Sequence, residues 1–201
     1  MAGPGEVVVE GGGRESATDW FQQICDVHDR VFSAEPFAWV PEMSPAHKEE
    51  LRGLTAVAGF RVVVARRRDR LLGYAYGHPL PADHGWWGDF AEPLPAGLVR
   101  EWPGRTFAVI SLAVLPGQRG RGTGGRLMEE LLRDRAEQRA ILSVQPTALA
   151  TQRLYRHWGW TNVGRKGPLA GVTPPCWDIY VRDLAFHLSS RNGAEAVPDE
   201  G

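Results

Sequence analysis

Val109-Ile110-Ser111-Leu112-Ala113-Val114-Leu115, followed by Pro116-Gly117-Gln118-Arg119-Gly120-Arg121-Gly122-Thr123-Gly124-Gly125, is the stretch on which the reading of the fold turns. The apolar, β-branched run reads as a buried strand. Beyond the glycines, Leu127, Met128, Leu131 and Leu132 share one helical face, with Arg126, Glu129, Glu130, Arg133 and Asp134 around the rest. That spacing predicts a helix running to about Gln138. Strand, glycine-rich turn and helix start together form an anion site, because the first N–H groups of a helix lack internal partners and its dipole adds positive potential there. Glycines let a phosphate approach the backbone, while Arg119 and Arg121 supply charge. A pyrophosphate suits such a loop.

Three nucleotide readings compete for it. A Walker-type loop needs Lys followed by Ser or Thr after its last glycine, and this loop has no Lys. Gly120-Arg121-Gly122-Thr123-Gly124-Gly125 matches G-x-G-x-x-G literally. However, the next strand candidate, Ile141-Leu142-Ser143-Val144, runs into Gln145-Pro146 and offers no acid for a ribose hydroxyl. The third reading fits best: Arg119-x-x-Gly122-x-Gly124 resembles the acyl-CoA pyrophosphate loop of the GCN5-related N-acetyltransferase (GNAT) superfamily, in its bacterial small-molecule type.

The resemblance extends from about Phe60 to Leu184. Leu154-Tyr155-Arg156-His157-Trp158-Gly159-Trp160 is similar to the family's second motif, with Trp160 in place of the commoner Phe, and Trp177-Asp178-Ile179-Tyr180-Val181 reads as the closing strand. The resemblance implies an α/β fold with a mixed sheet of six to seven strands, helices on both faces and a splay between the central strands. It further implies acetyl-CoA as cosubstrate, held by Leu112, Ala113 and Val114 and by the loop Arg119, Gly120, Arg121, Gly122, Thr123, Gly124 and Gly125. Tyr155 would protonate the leaving thiolate as well as touch the cofactor. Two departures follow. Ala148 stands where the family often has a cofactor-fixing Asn, so Gln145 or Gln152 would supply that contact. Ser111 stands where it often has a Glu general base, so the proton must leave by another route.

Composition agrees with one soluble domain. The 201 residues are 43% hydrophobic and 23% charged, enough for one sizeable core. The 23 basic and 24 acidic residues nearly cancel, which removes the electrostatic case for nucleic acid or an anionic membrane as partner. The local run Arg66-Arg67-Arg68-Asp69-Arg70 reads as a hairpin turn. No apolar stretch approaches the ~20 residues of a membrane span, so a cytoplasmic location is expected. Cys25 and Cys176 are too few for a disulfide framework, and no metal is expected. Cys25-x-x-His28 reads as a buried cysteine beside a surface histidine.

Along the chain, Val7-Val8-Val9 reads as an edge strand followed by a glycine linker, Gly11-Gly12-Gly13. Ser16 or Thr18 would cap one helix reaching Phe32, and Ser44-Pro45 would cap and open a second reaching about Val57. Phe60 to Ala65 and Leu71 to His78 form a hairpin. Pro79 to Pro103 is rich in Pro and Trp without sustained period, apart from a short helix near Leu98, and loops of this length are commonly functional. A strand Ile141 to Val144, a helix Thr147 to His157, and strands Asn162 to Arg165 and Trp177 to Arg182 complete a single domain over residues 1–187. The polar stretch 188–201 is expected to be disordered.

The acceptor implied is a small-molecule amine, an antibiotic or its precursor being one such class given the Lys-poor, Arg-rich usage of a GC-rich bacterial source. Trp86, Trp87 and His78 are the candidate acceptor-binding residues, although the tryptophans would serve a homodimer contact equally well. Glu101 is the leading candidate base, with Asp89, Glu92, His84 and His78 beside it. A protein or peptide N-acetyltransferase and a non-catalytic acyl-CoA-binding module remain the alternative readings.

Overall fold

A computed structural model describes residues 6–37 and 39–184. In chain order these form β1 (Val8–Gly12), α1 (Arg14–Asp19), α2 (Phe21–Phe32), α3 (Ser44–Thr55), β2 (Arg61–Arg67), β3 (Arg70–Pro79), α4 (Ala96–Val99), β4 (Thr106–Val114), α5 (Thr123–Leu132), β5 (Arg139–Val144), α6 (Leu149–His157), β6 (Thr161–Lys166) and β7 (Trp177–Asp183). Among the described residues the strands build a seven-stranded sheet in the order β1-β2-β3-β4-β5-β7-β6. Every neighbouring pair is antiparallel except β4 and β5. The basic run is the β2–β3 turn, as its composition implied. Arg66 reaches from it to Glu10 of β1 at 2.6 Å, tying down the edge strand.

One face carries Val63, Ala75, Phe107, Val109, Val114, Leu127, Leu131, Leu142, Val144 and Tyr155, packed under α5 and α6. The other face is covered in two pieces. Helices α1 to α3 bury Ile24, Val27, Leu51, Val62, Val64, Tyr74 and Ala113 over the first half of the sheet. The 80–105 segment covers the second half, with Trp86, Trp87, Phe90 and Leu98 resting on Ala108, Ile141, Ile179 and Val181. Both faces are therefore closed by apolar contact, as a sheet with a parallel pair at its centre requires.

Several sequence expectations are corrected. The first helix is two helices: Ser16 and Thr18 lie inside α1 rather than capping it, and the chain restarts as α2 after Trp20. Gly11 and Gly12 are paired with Val63 and Val62 in β1, so they are strand rather than linker. Ser44 is the first residue of α3, and its hydroxyl donates to Asp29 at 2.6 Å instead of capping its own helix. Helix α5 stops at Leu132, because Arg133 is extended and Asp134 takes a left-handed φ of 55°. The apolar residues of the pattern, Leu127, Met128, Leu131 and Leu132, all lie within α5, so the period ends where the helix does. His28 is buried rather than at the surface. The stretch 188–201, expected to be disordered, lies outside the described residues, as does the end of the proposed domain at 185–187. Among the described residues no helix is long and apolar enough to cross a membrane.

Candidate active site

The sheet opens where its two halves meet. β4 pairs with β5 only through Thr106↔Arg139, Phe107↔Ala140 and Ala108↔Ile141. Among the described residues, Val109 to Val114 pair with no strand on that side, while β5 turns to β7 along its whole length. The register with β3 skips Ile110, since Tyr76 faces Ser111 and Gly77 faces Val109. This bulge sends Ile110 and Ser111 to the same face and breaks the alternation at the mouth of the splay. Ile110 is partly buried and packs against both the helical cover and the 80–105 segment, so the two covers meet at this residue.

At the far end of β4, a 3-10 turn, Pro116–Gln118, leads into the glycine loop. Gly120 and Gly122 adopt φ of 72° and 75°, a conformation open to glycine at little cost. Gly122 is the residue preceding α5, and no side chain caps that helix. The first helical bond is Arg126 N–H to Gly122 O, so among the described residues the amides of Thr123, Gly124 and Gly125 have no backbone acceptor. Arg119 and Arg121 are solvent-exposed beside them, and Arg119 is anchored by its Nε to the Val114 carbonyl at 3.0 Å. The donor set fits a phosphate: three N–H groups, about half a unit of positive charge from the dipole and two guanidinium groups. Space around a Cβ built at Gly122 is open, whereas one at Gly124 would meet the Trp158 ring at 3.2 Å. Trp158, at the end of α6, is thereby wedged against the first turn of α5.

α6 carries Tyr155 into the core cluster that holds Val109 and Val114 on one side of the splay and Leu142 and Val144 on the other. Its ring sits among Trp158, Trp160 and Tyr180, with centroids at 5.8, 6.0 and 6.4 Å. Burial pushes the phenol well above its ordinary pKa, so it stays protonated at neutral pH. Gln152, one turn earlier, is fully engaged. Its amide donates to Pro146 O at 3.0 Å and to Asp178 at 3.1 Å, and its carbonyl accepts from Tyr180 at 3.3 Å. It fixes the β5–α6 connection from behind.

The remaining sequence candidates separate into two places. Glu101 is nearly sealed, with 5% of its side chain exposed, and receives hydrogen bonds from Trp87 Nε1 at 2.8 Å, from Thr106 Oγ1 at 2.9 Å and from Arg139. His84 Nε2 stands 3.4 Å from the same oxygen. Burial would raise the Glu101 carboxyl, but the bonds from Trp87, Arg139 and Thr106 outweigh it and hold the pKa below the ordinary value. Trp87 also faces the Arg139 guanidinium at 4.8 Å. With His84, Asp89, Phe90, Glu92 and Leu94, Trp87 and Glu101 line a cavity of about 500 Å³. Trp86 packs on the core beneath. His78, on β3, bonds the Pro79 carbonyl through Nδ1 at 2.8 Å. Among the described residues, no group of three His, Cys, Asp or Glu side chains is arranged to hold a metal.

A polar group that no sequence signal had marked runs through the helical cover. The His28 and His47 rings stack at 3.6 Å, His47 Nε2 lies 3.1 Å from the Tyr76 hydroxyl, and Tyr74 Oη lies 3.0 Å from Ser111 Oγ. Asp29, bonded by Trp39 and Ser44, is 3.7 Å from His28 Nδ1. Both Nδ1 atoms are buried without a partner, which costs about 1–3 kcal/mol apiece. The sequence read His28 as a surface residue because its partner, His47, lies on another helix and leaves no local trace.

The stacked histidines make stability depend on pH. Burial, and for His28 the neighbouring His47, lower their pKa values from the ordinary 6.5 to about 3 for His28 and about 4 for His47, against the opposing pull of Asp29. Folded values below unfolded ones mean that the contribution is complete above pH 6.5 and is lost as pH falls from 6.5 towards 4. Each pH unit in that window costs up to about 1.4 kcal/mol per histidine. Urea unfolding at pH 7.5 and 5.5 should show this loss. His47→Gln should remove about half of the difference, and an unchanged difference would assign it to other groups.

Comparison with known proteins follows the same lines. The family model for the acetyltransferase (GNAT) family matches residues 21–160. Among solved structures the chain is similar to NAA60 of Arabidopsis thaliana in complex with acetyl-CoA, at 13% identity and a TM-score of 0.63, over 90% of this chain and 99% of that one. It is similar to a GNAT-family protein of Desulfovibrio desulfuricans at 19% identity and 0.62, over 89% and 99%. An aminoglycoside 6′-acetyltransferase type Ii matches at 14% identity and 0.61, over 88% and 97%. At these identities the likeness is one of fold. No curated protein sequence matches the chain.

Proposed function

Since the chain belongs to the acetyltransferase (GNAT) family, whose members draw on acetyl-CoA, we propose that it moves an acetyl group from acetyl-CoA to an amine of a small molecule. The uncapped start of α5 carries this reading, because three amides without a backbone acceptor and two exposed arginines lie in the loop that follows the open edge of β4. The amides of Thr123, Gly124 and Gly125 and the side chains of Arg119 and Arg121 hold the pyrophosphate, with Gly120 and Gly122 shaping the approach. The unpaired edge at Leu112 and Ala113, ending at Val114 whose carbonyl holds Arg119, receives the pantetheine amides as an added strand. Acetyl-CoA supplies an activated acyl group. A β4 backbone N–H stabilises the charge that develops on the acyl oxygen, and Tyr155 gives its proton to the departing sulfur. Gln152 and Glu101 act as positioning residues, the first behind the β5–α6 connection and the second beneath Trp87.

The acceptor enters between the helical cover and the 80–105 segment, where Ile110 lies, with Trp86, Trp87 and His78 on the segment's side. The small-molecule half of the reading rests on how completely those two covers close the face. CoA release from acetyl-CoA, followed with a thiol reagent, tests both halves. Small amines should be acetylated in preference to peptides with free N-termini or lysines. Preference for peptides would overturn the acceptor class, and CoA binding without release on any amine would leave an acyl-CoA-binding module.

Tyr155→Phe keeps the ring contacts and removes only the hydroxyl. It should lower kcat by roughly one to two orders of magnitude, the low end for a positioned acid, with little change in the acetyl-CoA KM. Steady-state kinetics at saturating acceptor decide the point. A wild-type kcat would mean that water protonates the thiolate or that another step limits the rate.

A further inference from the structure

We propose that the cavity of about 500 Å³ inside the 80–105 segment is a second binding site, outside the acyl-transfer cleft, for an organic ammonium ion that carries a ring and an oxygen. Binding there goes beyond the acetyl-transfer reading and would persist if that reading failed.

Size, charge and one unmet donor define the ligand. The volume lies in the range of small-molecule sites, which are mostly apolar with a few placed polar groups, and Trp87, Phe90, Leu94 and Val99 supply the apolar wall. The charge is one-sided, since Asp89, Glu92 and Glu101 line the cavity and no Lys or Arg does. Glu101 is committed to Arg139, but the two acids at the exposed rim are not. Asp89 has only Lys166 Nζ at 3.9 Å, and that ammonium already donates to the Gly85 carbonyl at 2.6 Å. Glu92 joins no ion pair among the described residues. A concave surface lined by acids of one sign concentrates a cation. At the floor, the His84 side chain is 4% exposed, and its Nδ1 accepts from the Trp86 amide at 3.1 Å, which puts the ring proton on Nε2. That Nε2 has no hydrogen-bond partner, and Glu101 Oε1, 3.4 Å away, is already taken by Trp87, Thr106 and Arg139. A buried donor left unmet calls for an acceptor, and a ligand oxygen at the floor supplies one.

The site is separate from the cleft because every residue lining it belongs to the 80–105 segment and none to β4, β5, α5 or α6. Trp87 and Phe90 are the partition: they line the cavity and also pack on Ala108, Ile141, Ile179 and Val181 of the sheet. Ile110, where the two covers meet, is not part of its wall. Glu101 is the one link between the two places, since it lines the cavity and accepts from Thr106 of β4 and Arg139 of β5.

Tyramine, which has the ammonium, the ring and the oxygen, is the probe, and 4-ethylphenol, which lacks only the ammonium, is its control. Both are titrated into the full chain without acetyl-CoA, so that nothing is turned over, and followed by the indole ¹H–¹⁵N signal of Trp87. Tyramine should bind saturably, and 4-ethylphenol about 10-fold more weakly. Asp89→Asn combined with Glu92→Gln should weaken tyramine by about 10-fold and leave 4-ethylphenol as it was. Intermolecular NOEs should join the tyramine ring to the methyl groups of Leu94 and Val99. No binding, equal binding of the two probes, or wild-type affinity in the double variant would overturn the proposal. NOEs to Ile110 in place of Leu94 and Val99 would seat the ligand in the acceptor cleft and overturn it as well. Absence of acetyl transfer with every amine would defeat the earlier reading alone, since the titration involves no turnover.

Discussion

Gly122→Asp is expected to abolish CoA binding in a protein that remains folded. A Cβ at this position meets nothing within 4 Å, and the left-handed φ of 75° costs a non-glycine residue only about 1–2 kcal/mol. Binding suffers far more, since the new carboxylate stands before the free amides of Thr123, Gly124 and Gly125, where it repels a pyrophosphate and takes up its donors. Calorimetric titration of CoA should show affinity reduced by about 100-fold or more, equivalent to roughly 2.7 kcal/mol. Wild-type affinity in the folded variant would remove the loop from the cofactor site.

Glu101→Ala should be the most damaging single change to stability. It strands Arg139, whose side chain is 4% exposed, with only the Leu98 carbonyl and the Thr106 hydroxyl as partners. Breaking a buried pair in this way costs about 3–5 kcal/mol, which lowers the melting temperature of a domain this size by about 10 °C. Glu101→Leu combined with Arg139→Met should cost much less than the sum of its two parts, because no charge is left buried. Additive losses would mean that the two side chains are held independently. A residue acting only as a proton acceptor would affect turnover and leave the melting temperature in place.

Glu101 also marks the limit of what could be read from the residues in order. The glycine loop was legible because its chemistry is local: strand, turn, glycines and helix start are consecutive, and the structure sets them out as the spacing implied. The mixed sheet and its splay followed from the family resemblance that this stretch carries. The role of Glu101 was hidden, since nothing nearby distinguishes an acid in a Trp-rich loop from a solvent-facing one, and its cation lies 38 positions away. The stacked histidines were hidden for the same reason, being 19 residues apart on different helices. Helix ends were misjudged where a single dihedral decided the matter, as at Asp134.

The three rungs joining β4 to β5 behave like the spine of a half-open book. Glu101, Thr106 and Arg139 clamp that spine from one end, and the leaves diverge from it for the six residues from Val109 to Val114. At ~3.3 Å per residue this is a lever arm of roughly 20 Å. A tilt of a few degrees at the clamp thus becomes about an ångström at the outer edge. The gape of the cleft is governed from its hinge, so substitutions far from any bound molecule can alter which molecules fit.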